Sequence, residues 1–353
     1  MSGRAKVARP TPSIKDVAAR AGVSPSTVSR VLAGAARVGS PTRERVLEAV
    51  AELGYQPNWL ASSLRRGRTG TLGLVLPDLR QPFFVAMAVA VEDAVVRRGY
   101  GLLLCNSRLD AEREGECLRV LAGRGVDGIL FARVADDAET LRRTRRSGVP
   151  LVVVDRVLDA ERVPSVVVDN RRAGYLAVGH LTALGHRRIG LITGPRHLHL
   201  CRDRYQGYER ALRERGLEPD PRLEVEGDFS LESGADALTR LLDARPRPTA
   251  VFAMNDLMAI GALRAARANG VSVPGDLAVV GIDNIPLSAL VEPSLTTVAQ
   301  PLDRMAEEAV DLLLQAMERP LDQPVVRVVL DPHLVVRRST GAPRALEQET
   351  RGT

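Results

Sequence analysis

The stretch from Ser13 to Leu32, SIKDVAARAGVSPSTVSRVL, predicts two short helices joined by a tight turn. Ser13 with Asp16 three residues on is a helix start signal, and the apolar residues from Ile14 onward recur at i, i+3, i+4 and i+7. Gly22 is expected to end the first helix, since glycine adopts the left-handed conformation that closes a helix. This pattern is typical of a helix-turn-helix, although any antiparallel helix pair can imitate its spacing.

A second and a third helix follow with start and stop signals of their own. Ser24 is the predicted cap of the second helix and Pro25 its first residue, a position where the missing N–H costs nothing. Ser40 is predicted to cap the third helix, and Gly54 is predicted to end it. Together the three helices predict a small helical head over residues 13–56.

The side chains left on the polar face of the second helix suit the grooves of DNA. Serine and threonine hydroxyls can bond phosphate oxygens, and the planar guanidinium of Arg30 can pair with O6 and N7 of guanine in the major groove. The alternative is a plain helical bundle whose polar residues are merely solvated. The DNA-contact candidates of the head are Ser24, Pro25, Ser26, Thr27, Ser29, Arg30 and Arg37.

The charge distribution favours the DNA-binding alternative. Residues 1–70 carry 12 Lys and Arg against 4 Asp and Glu, a net charge of +8, in a chain of 353 residues whose formal net charge is +6. The remaining residues therefore hold about −2. A basic head on a nearly neutral body is the electrostatic signature of nucleic-acid binding, because neutralised phosphates release condensed counterions.

The N-terminal sequence resembles the DNA-binding head of the LacI/GalR family of bacterial transcriptional repressors. The resemblance rests on residues 14–32, on Arg43-Glu-Arg-Val and on Glu52-Leu-Gly-Tyr-Gln-Pro-Asn, and it extends through most of the chain to about Ser339. It implies a sequence-specific transcriptional regulator, a repressor, whose operator affinity is controlled by a small-molecule effector. It also implies a homodimer that reads a pseudo-palindromic operator with two heads.

The resemblance assigns roles within the second helix. In the family, the two residues that start this helix, here Pro25 and Ser26, select the operator sequence, and the arginine that matches Arg30 reads a base edge. Proline offers neither a side-chain donor nor an acceptor, so recognition at Pro25 is restricted to apolar contact, for example with a thymine methyl. The operator sequence is therefore left open.

Residues 57–70 are predicted to form a short hinge helix and linker, with Asn58 as the helix cap. In the family this helix folds when two subunits meet on the operator and pushes a leucine into the minor groove, and the matching residues are Ala61 and Leu64. Such an apolar wedge unstacks a base step and kinks the duplex. An ordinary linker leucine is the alternative, but the arginines that follow Leu64 favour a position against the DNA backbone.

Composition predicts a soluble, cytoplasmic protein, and the family resemblance implies a bacterial protein associated with the nucleoid. The 3 cysteines, Cys105, Cys117 and Cys201, show neither metal-ligand spacing nor an even disulfide framework, which favours a reducing compartment. Residues 1–12 are polar and basic, unlike a signal peptide, and are expected to be disordered. The longest apolar run, Phe83 to Val91, is far too short to span a bilayer.

From Thr71 onward, short β-branched runs alternate with amphipathic helices, which predicts an α/β fold with doubly wound, mostly parallel sheets. The predicted strands include Thr71 to Leu76, Leu151 to Val154, Ser165 to Val168, Ile189 to Thr193, Ala250 to Ala253 and a terminal strand near Leu334 to Arg337, and one predicted helix runs from Tyr205 to Arg215. One series ends and another begins near Asp169, so two similar lobes are expected rather than one wide sheet. The resemblance implies a periplasmic-binding-protein-like core for effector binding and dimerisation over residues 71–340. The expected segments are lobe 1 at about 71–168 and 299–329, lobe 2 at about 169–298 and 330–340, and a disordered tail at 341–353.

Polar side chains at the predicted strand ends indicate a ligand cleft between the lobes, since ligands of such folds bind at the carboxyl ends of strands. Asp155, Asn255 and Asp283 each follow a predicted strand. By resemblance, Arg204, Asn255 and Asp283 match the effector-contacting arginine, asparagine and aspartate of the family, and Gln300 matches a further cleft position. An arginine fork beside a carboxylate and a carboxamide suits vicinal hydroxyls, so a sugar or sugar derivative is the expected effector.

Aromatic candidates complete the predicted cleft. Phe83, Phe84 and Phe229 fall at its edges in the sequence, although each phenylalanine taken alone is more commonly a core residue. Many relatives have asparagine before the Pro-Phe pair, whereas this chain has Arg80 and Gln81. That difference favours an anionic effector at the mouth of the cleft.

Two acidic residues have an alternative interpretation. Asp256 is expected with equal weight to cap the helix that follows it or to contact the ligand. Asp155 could instead form a surface ion pair of little energetic worth with Arg156.

The sequence lacks the motifs of common enzymes. It has no Gly-x-Gly-x-x-Gly after a strand, no Walker loop, no Gly-x-Ser-x-Gly elbow and no zinc-ligand spacing, so neither an enzyme nor a cofactor or metal is predicted. The alternative function is a periplasmic-type ligand-binding protein without a regulatory role, a class that needs an export signal and lacks a basic head. The predicted partners are double-stranded operator DNA, a carbohydrate-like effector and a second copy of the chain, with no membrane.

Overall fold

The computed structural model describes residues 12–32, 38–55, 68–133, 148–156, 163–318 and 325–343. The chain divides into two compact units, Met1–Thr69 and Gly70–Thr353, which are treated separately below. Several predictions lie outside the described residues: the terminal segments up to 11 and from 344, and the DNA-contact candidates Arg37, Asn58, Ala61 and Leu64.

The first unit contains the three predicted helices, α1 (Ile14–Ala21), α2 (Pro25–Leu32) and α3 (Ser40–Leu53). The start signal of α1 operates as expected, because the Asp16 carboxylate accepts hydrogen bonds from the Ser13 backbone N–H at 2.7 Å and from its hydroxyl at 2.8 Å. Gly22 follows α1 with φ 65° and ends it.

The caps of the next two helices differ from each other. The Ser24 hydroxyl accepts from the Thr27 N–H at 3.2 Å, so the predicted cap of α2 is confirmed. The predicted cap of α3 is wrong, because Ser40 is already the first helical residue. The Gly39 carbonyl accepts the first intrahelical hydrogen bonds, from the N–H groups of Thr42 and Arg43 at 3.1 Å each, which places the cap position one residue earlier.

A small apolar cluster holds the three helices together. All of its members are nearly or fully buried, and they come from the stripes that face one another in the head. The cluster consists of Val17, Ala18, Ala21, Val28, Val31, Val46 and Ala49. At the surface, Arg20 on α1 forms an ion pair with Glu52 on α3 at 2.6 Å. This packing leaves the polar face of α2 outside the cluster.

The second unit alternates strands with helices, as the sequence predicted. Its strands are β1 (Thr71–Leu76), β2 (Gly101–Asn106), β3 (Gly128–Ala132), β4 (Leu151–Val154), β5 (Ser165–Val168), β6 (Ile189–Thr193), β7 (Glu224–Glu226), β8 (Ala250–Ala253), β9 (Ala278–Asp283), β10 (Thr296–Ala299), β11 (Arg327–Leu330) and β12 (His333–Val335). Its α-helices are α4 (Pro82–Arg97), α5 (Ala111–Gly123), α6 (Asn170–Ala183), α7 (His199–Arg213), α8 (Leu231–Asp243), α9 (Asp256–Ala268), α10 (Pro286–Leu290) and α11 (Leu302–Glu318).

These strands form two six-stranded sheets. The first sheet has the order β11-β5-β4-β3-β1-β2 and is parallel throughout. The second has the order β12-β10-β9-β8-β6-β7, in which only the edge strand β12 runs antiparallel. The inner strands β3, β4 and β8 are buried along their whole length, as expected for parallel strands covered by helices on both faces.

The chain passes between the two sheets more than once. Helix α11 follows β10 of the second sheet but packs on α4 and on β3, β4 and β5 of the first. Strand β11 then joins the first sheet and β12 returns to the second. The predicted fold class, a helical head plus a core of two doubly wound sheets, is confirmed.

Several elements differ from the sequence prediction. Strand β7 was not predicted, since its three residues Glu-Val-Glu carry too little apolar pattern. The terminal strand ends at Val335 rather than at Arg337, because the Arg337 backbone N–H donates to the Thr296 hydroxyl at 2.9 Å and not to a carbonyl of the neighbouring strand. Helix α7 begins at His199 and not at Tyr205, so Arg204 lies inside the helix. No helix among the described residues is long and apolar enough to cross a bilayer.

Candidate functional site

The polar face of α2 presents the predicted DNA-contact residues. Ser24, Pro25, Ser26 and Arg30 are exposed, and Thr27 and Ser29 are half-buried. The Ser24 hydroxyl lies 2.7 Å from that of Ser26 and 2.9 Å from that of Thr27, so three hydroxyls cluster at the start of the helix. Such a cluster at a helix N-terminus offers donors to a phosphate.

Arg30 stands on the same face one turn further along α2. Its Nε donates to the Ser26 carbonyl at 3.4 Å. In the described part of the head no carboxylate lies within ion-pair distance of Arg30, whereas Arg20 is paired with Glu52. The terminal nitrogens of Arg30 are therefore available for a planar, two-pronged contact.

The second unit contains a cavity at the carboxyl ends of its strands, and both sheets contribute to it. The polar residues at strand ends come from four places, after β4, after β8, at the end of β9 and after β10. All eight predicted effector residues line this one cavity: Phe83, Phe84, Asp155, Arg204, Phe229, Asn255, Asp283 and Gln300. The structure thus brings together residues that are far apart in the sequence.

Arg204 is the buried cation of this cleft, with 4% of its surface exposed. Its Nε donates to Oδ1 of Asn170 at 2.8 Å, and its Nη1 donates to the carbonyl of Met254. Its Nη2 lies 4.0 Å from Oδ1 of Asp283. The guanidinium is therefore held in a fixed orientation by two neutral acceptors and faces a carboxylate without a direct hydrogen bond.

Close helix packing fixes the backbone that carries Arg204. A Cβ atom at Gly174 of α6 would overlap the carbonyl oxygen of Arg204, and one at Gly207 of α7 would overlap the carbonyl oxygen of Arg171. Only glycine allows the two helices to approach this closely. The position of the arginine in the cleft thus depends on the contact between α6 and α7.

Asp283 is the carboxylate opposite Arg204. Gln300 Nε2 donates to its Oδ1 at 2.8 Å, so two predicted cleft residues are bonded to each other. Burial raises the pKa of Asp283 from 3.8 to about 7, although Arg204 and Gln300 act in the opposite direction. Burial thus favours the protonated form of this carboxyl, in which it can donate as well as accept a hydrogen bond.

Asp155 is the second buried acid of the cleft. Burial raises its pKa as well, and the neighbouring Arg156 and Arg204 act against the rise. The predicted surface pair with Arg156 is wrong, because the two side chains are only 9% and 12% exposed and approach to 3.5 Å inside the cleft. Asp155 directly follows β4 and has a left-handed backbone conformation, with φ 72°.

Asn255 and Asp256 have separate structural roles. Asn255 caps α9, since its Oδ1 accepts from the Met258 N–H at 2.9 Å, and its Nδ2 donates to the Phe229 carbonyl at 3.1 Å. Asp256 is fully buried and neither caps the helix nor lines the cleft. Its oxygens accept from the Thr297 hydroxyl at 2.6 Å and from the Ile285 N–H at 3.0 Å. Asp256 is therefore neither the predicted helix cap nor the predicted ligand contact. It connects the ends of neighbouring strands through these hydrogen bonds.

The aromatic candidates form an apolar wall. Phe83 and Phe84 at the start of α4 pack edge to face with their centroids 5.2 Å apart, and Phe229 lies in the same cleft on the opposite lobe. All three rings are largely buried. A mixed set of buried polar groups beside aromatic faces is typical of a small-molecule site.

Backbone strain concentrates in the cleft. Six non-glycine residues have positive φ in the described ranges, and three of them, Asp155, Phe229 and Asp283, line this cavity. For a bulky residue such as Phe229 this conformation costs on the order of 1–3 kcal/mol. Strained residues persist where surrounding structure fixes them, and they cluster at ligand sites.

Three lining residues were not predicted: Gln81, Arg156 and Leu200. Gln81 could have been predicted, because it directly precedes the Pro-Phe pair. The prediction instead relied on the positive charge of Arg80. Arg80 instead forms an ion pair with Asp78 at 2.8 Å and is not among the residues that line the cleft, so the prediction of an anionic effector loses that basis. Leu200 could not be predicted because the start of α7 was placed too late.

The cleft is nearly filled by its own side chains. Its free volume is about 30 Å³, room for one or two water molecules. Within the described ranges no cluster of three or more His, Cys, Asp or Glu residues could hold a metal ion. The polar groups of the site are the buried Arg204, the partly buried Arg156, two buried acids and amide groups, and they lie beside aromatic rings.

Known proteins resemble this chain in both units. A profile described as bacterial regulatory proteins, lacI family, matches residues 13–58, and one described as a periplasmic binding protein-like domain matches residues 178–340. The HTH-type transcriptional repressor CytR of Escherichia coli strain K12 is 36% identical over 341 residues, which cover 96% of this chain and 99% of CytR.

Two solved structures extend the comparison to three dimensions. The lac repressor dimer bound to operator and the anti-inducer ONPF is 30% identical, covers 94% of this chain and 100% of its own, and superposes with a TM-score of 0.82. The transcriptional regulator CelR in complex with cellobiose is 38% identical, covers 93% of this chain and 99% of its own, and has a TM-score of 0.71. These relatives are transcriptional regulators and not enzymes.

Proposed function

Because the chain belongs to the LacI family of bacterial regulatory proteins, we propose that its cleft binds a small polyhydroxylated effector that controls DNA binding by the head. The protein is a DNA-binding transcriptional regulator and not an enzyme. We propose that residues 13–56 bind the operator and that residues 57–70 form the hinge helix and linker between the head and the core. Residues 71–340 are proposed to bind the effector and a second subunit.

The observation that carries the proposal is the gap between Arg204 and Asp283. Their nearest polar atoms are 4.0 Å apart, too far for a hydrogen bond. A ligand hydroxyl oxygen placed about 2.8 Å from each atom would bridge them, and the angle Nη2–O–Oδ1 at that oxygen would be roughly 90°. One ligand hydroxyl can therefore accept from the guanidinium and donate to the carboxylate at the same time.

The rest of the cleft extends this fit to a ring that bears several hydroxyls. Asp155 and Gln300 supply further acceptors and donors, and Phe83 and Phe229 supply apolar faces for the carbon skeleton. The CelR complex contains cellobiose, which supports a carbohydrate or carbohydrate derivative as the ligand class.

Effector binding requires the cleft to open. Ligand sites in proteins have volumes of about 300–1,000 Å³, at least ten times the free volume of about 30 Å³ found here. A sugar must therefore move the two sheets apart or displace Arg204 from its present partners. A ligand that favours the opened arrangement shifts the equilibrium between the two states, which is the requirement for control of a distant function.

For the head, we propose that Ser26 and Arg30 read base edges, that the hydroxyls at the start of α2 bind phosphate, and that Pro25 makes apolar contact. Arg37, Asn58, Ala61 and Leu64 remain sequence-based proposals for further DNA contacts, with Leu64 entering the minor groove. Two heads of a homodimer would read a pseudo-palindromic operator in the bacterial cytoplasm, at the nucleoid.

A calorimetric panel of monosaccharides, disaccharides, sugar acids and nucleosides against the full chain tests the cleft assignment. We expect one polyhydroxylated class to bind, and we expect Asp283→Asn to weaken that binding at least tenfold. The operator affinity of the wild-type chain should change on addition of the same ligand. Binding of a sugar without any change in operator affinity would favour the alternative, a ligand-binding protein without a regulatory role.

A further inference from the structure

The second unit contains another, larger cavity that none of the functional predictions used. Its volume is about 300 Å³, about ten times that of the effector cleft. It is bounded by the end of β6 at Thr193, by Met254 after β8 and by one face of helix α7. A cavity of this volume is large enough for a small organic ligand.

Helix α7 separates this cavity from the effector cleft. Cys201, Tyr205 and Glu209 follow one another at intervals of four and line the cavity, so they share one face of the helix. Arg204 and Leu200 line the effector cleft and therefore lie on another face. Different side chains of the same helix thus line the two cavities.

The walls of the larger cavity are suited to an aromatic ring. Met254 and Cys201 contribute polarisable sulfur atoms, which make favourable contacts with ring edges. Burial raises the pKa of the Cys201 thiol to about 11, so it stays neutral and behaves as an apolar group. Tyr205 adds its ring and is held in place because its hydroxyl donates to Glu224 at 2.8 Å.

The wall at the end of β6 includes a polar group without a partner. Thr193 is buried, and its hydroxyl has no hydrogen-bond partner within the described ranges. Such an unsatisfied buried hydroxyl costs about 1–3 kcal/mol. A ligand with a hydrogen-bonding group at its inner end would remove that cost after a rotation of the threonine side chain.

The rim of the cavity carries one positive charge that is not neutralised locally. Arg202 is exposed, its Nη1 donates to the His197 carbonyl at 3.1 Å, and no carboxylate of the described part of the chain lies within ion-pair distance of it. The other charged rim residues are paired, Arg196 with Glu224 at 3.1 Å and Glu209 with Arg213 at 3.1 Å. A carboxylate at the mouth of the cavity would therefore meet Arg202.

We propose that this cavity is a second ligand site, which takes a small aromatic carboxylate with a hydrogen-bonding group opposite its acid group. The ring lies between the sulfur atoms and Tyr205, the acid faces Arg202, and the opposite end reaches Thr193. Because the Met254 carbonyl accepts from Arg204, an occupant of the cavity touches a residue that positions the effector-cleft arginine. The assignment does not depend on the ligand class of the cleft.

The test uses 4-hydroxybenzoate as the probe, with the full chain, in a calorimetric or saturation-transfer titration. We expect saturable binding that weakens at least fivefold for the methyl ester, which lacks the charge, and at least threefold for benzoate, which lacks the hydroxyl. Arg202→Gln should remove the preference for the acid over the ester. Thr193→Val keeps the shape of the side chain and should remove the preference for 4-hydroxybenzoate over benzoate.

Two further variants locate the probe. Gln206→Trp places a bulky side chain at the exposed rim and should block binding, whereas Asp283→Asn alters only the effector cleft and should leave the affinity unchanged. The melting temperature of each variant checks that it is folded. For a fragment this small we expect a dissociation constant no weaker than about 1 mM. The proposal is overturned if no binding is detected at a probe concentration of about 10 mM, ten times that value. It is also overturned if Asp283→Asn abolishes binding while Gln206→Trp and Arg202→Gln leave it intact.

Discussion

Arg204 and Asp283 face each other across 4.0 Å, both almost wholly buried and without a direct hydrogen bond between them. Each is held by other partners, Arg204 by Asn170 and Met254, and Asp283 by Gln300. The cleft therefore presents a donor and an acceptor that are already fixed and only partly satisfied. A ligand that bridges them gains one charge-assisted hydrogen bond to the Arg204 guanidinium and a second hydrogen bond to Asp283, at little cost in side-chain ordering.

Arg204→Lys should weaken effector binding by about 10- to 100-fold, the effect expected from losing hydrogen bonds to a charged group. A lysine ammonium cannot reproduce the planar fork that contacts Asn170 and the ligand together. Isothermal titration with the effector found in the carbohydrate panel measures the loss. Arg202→Lys, two residues away and outside the cleft, is the matched control and should bind normally. Equal losses in the two variants would argue against the assigned role.

Stability should depend on pH through Asp283. In the unfolded chain this carboxyl ionises near 3.8, whereas in the fold it keeps its proton until about pH 7, because burial disfavours the charged form. Between these values the folded state binds more protons, so the free energy of unfolding falls as the pH rises through the interval. We expect the melting temperature of the wild type to fall more steeply between pH 5 and pH 8 than that of Asp283→Asn. Parallel curves for the two proteins would contradict the raised pKa.

Gly174→Ala should destabilise the second unit by about 1–3 kcal/mol, because the new methyl group would overlap the backbone of Arg204. Gly179 lies on the same helix, and a Cβ there meets nothing within 4 Å. Gly179→Ala should therefore be neutral or stabilising, by up to about 1 kcal/mol. Denaturant unfolding of the two variants measures the contrast. A tolerated alanine at position 174 would show that the contact between α6 and α7 is looser than described.

Arg30→Ala should weaken binding to the specific operator by about 1–3 kcal/mol, the range expected for one base-reading contact. Arg20→Ala is the control, since Arg20 lies in the same head but is paired with Glu52. Fluorescence anisotropy with labelled duplexes, with and without the operator sequence, separates specific from non-specific binding. If Arg30→Ala lowers both affinities equally, Arg30 contacts phosphate and does not read sequence.

Much of the fold could be predicted because the strands are buried on both faces. The observed bounds of β1, β4, β5, β6 and β8 are those predicted, since a short, mainly apolar run between turn residues leaves little freedom. Strand β7 and the true start of α7 were missed, because there the local pattern is polar and the element forms through tertiary packing.

The members of the cleft could be predicted from strand ends and family resemblance, but their arrangement could not. Asp155 has a left-handed backbone conformation directly after β4, and the orientation of Arg204 depends on glycine contacts between two helices. The larger cavity could not be predicted from the sequence. Thr193 and Met254 follow different strands, and they lie close to residues of α7 only once the sheet has formed.

The basic head is proposed to recognise a specific duplex sequence under the control of a ligand in the cleft. Selection of the genomic fragments that the full chain retains at physiological ionic strength, with and without the effector, tests both parts together. We expect the retained fragments to share an inverted repeat and their retention to change when effector is added, whereas the effector should have no influence on fragments bound by Arg204→Lys. Fragments without a common sequence, or retained identically by Arg30→Ala, would contradict the proposal.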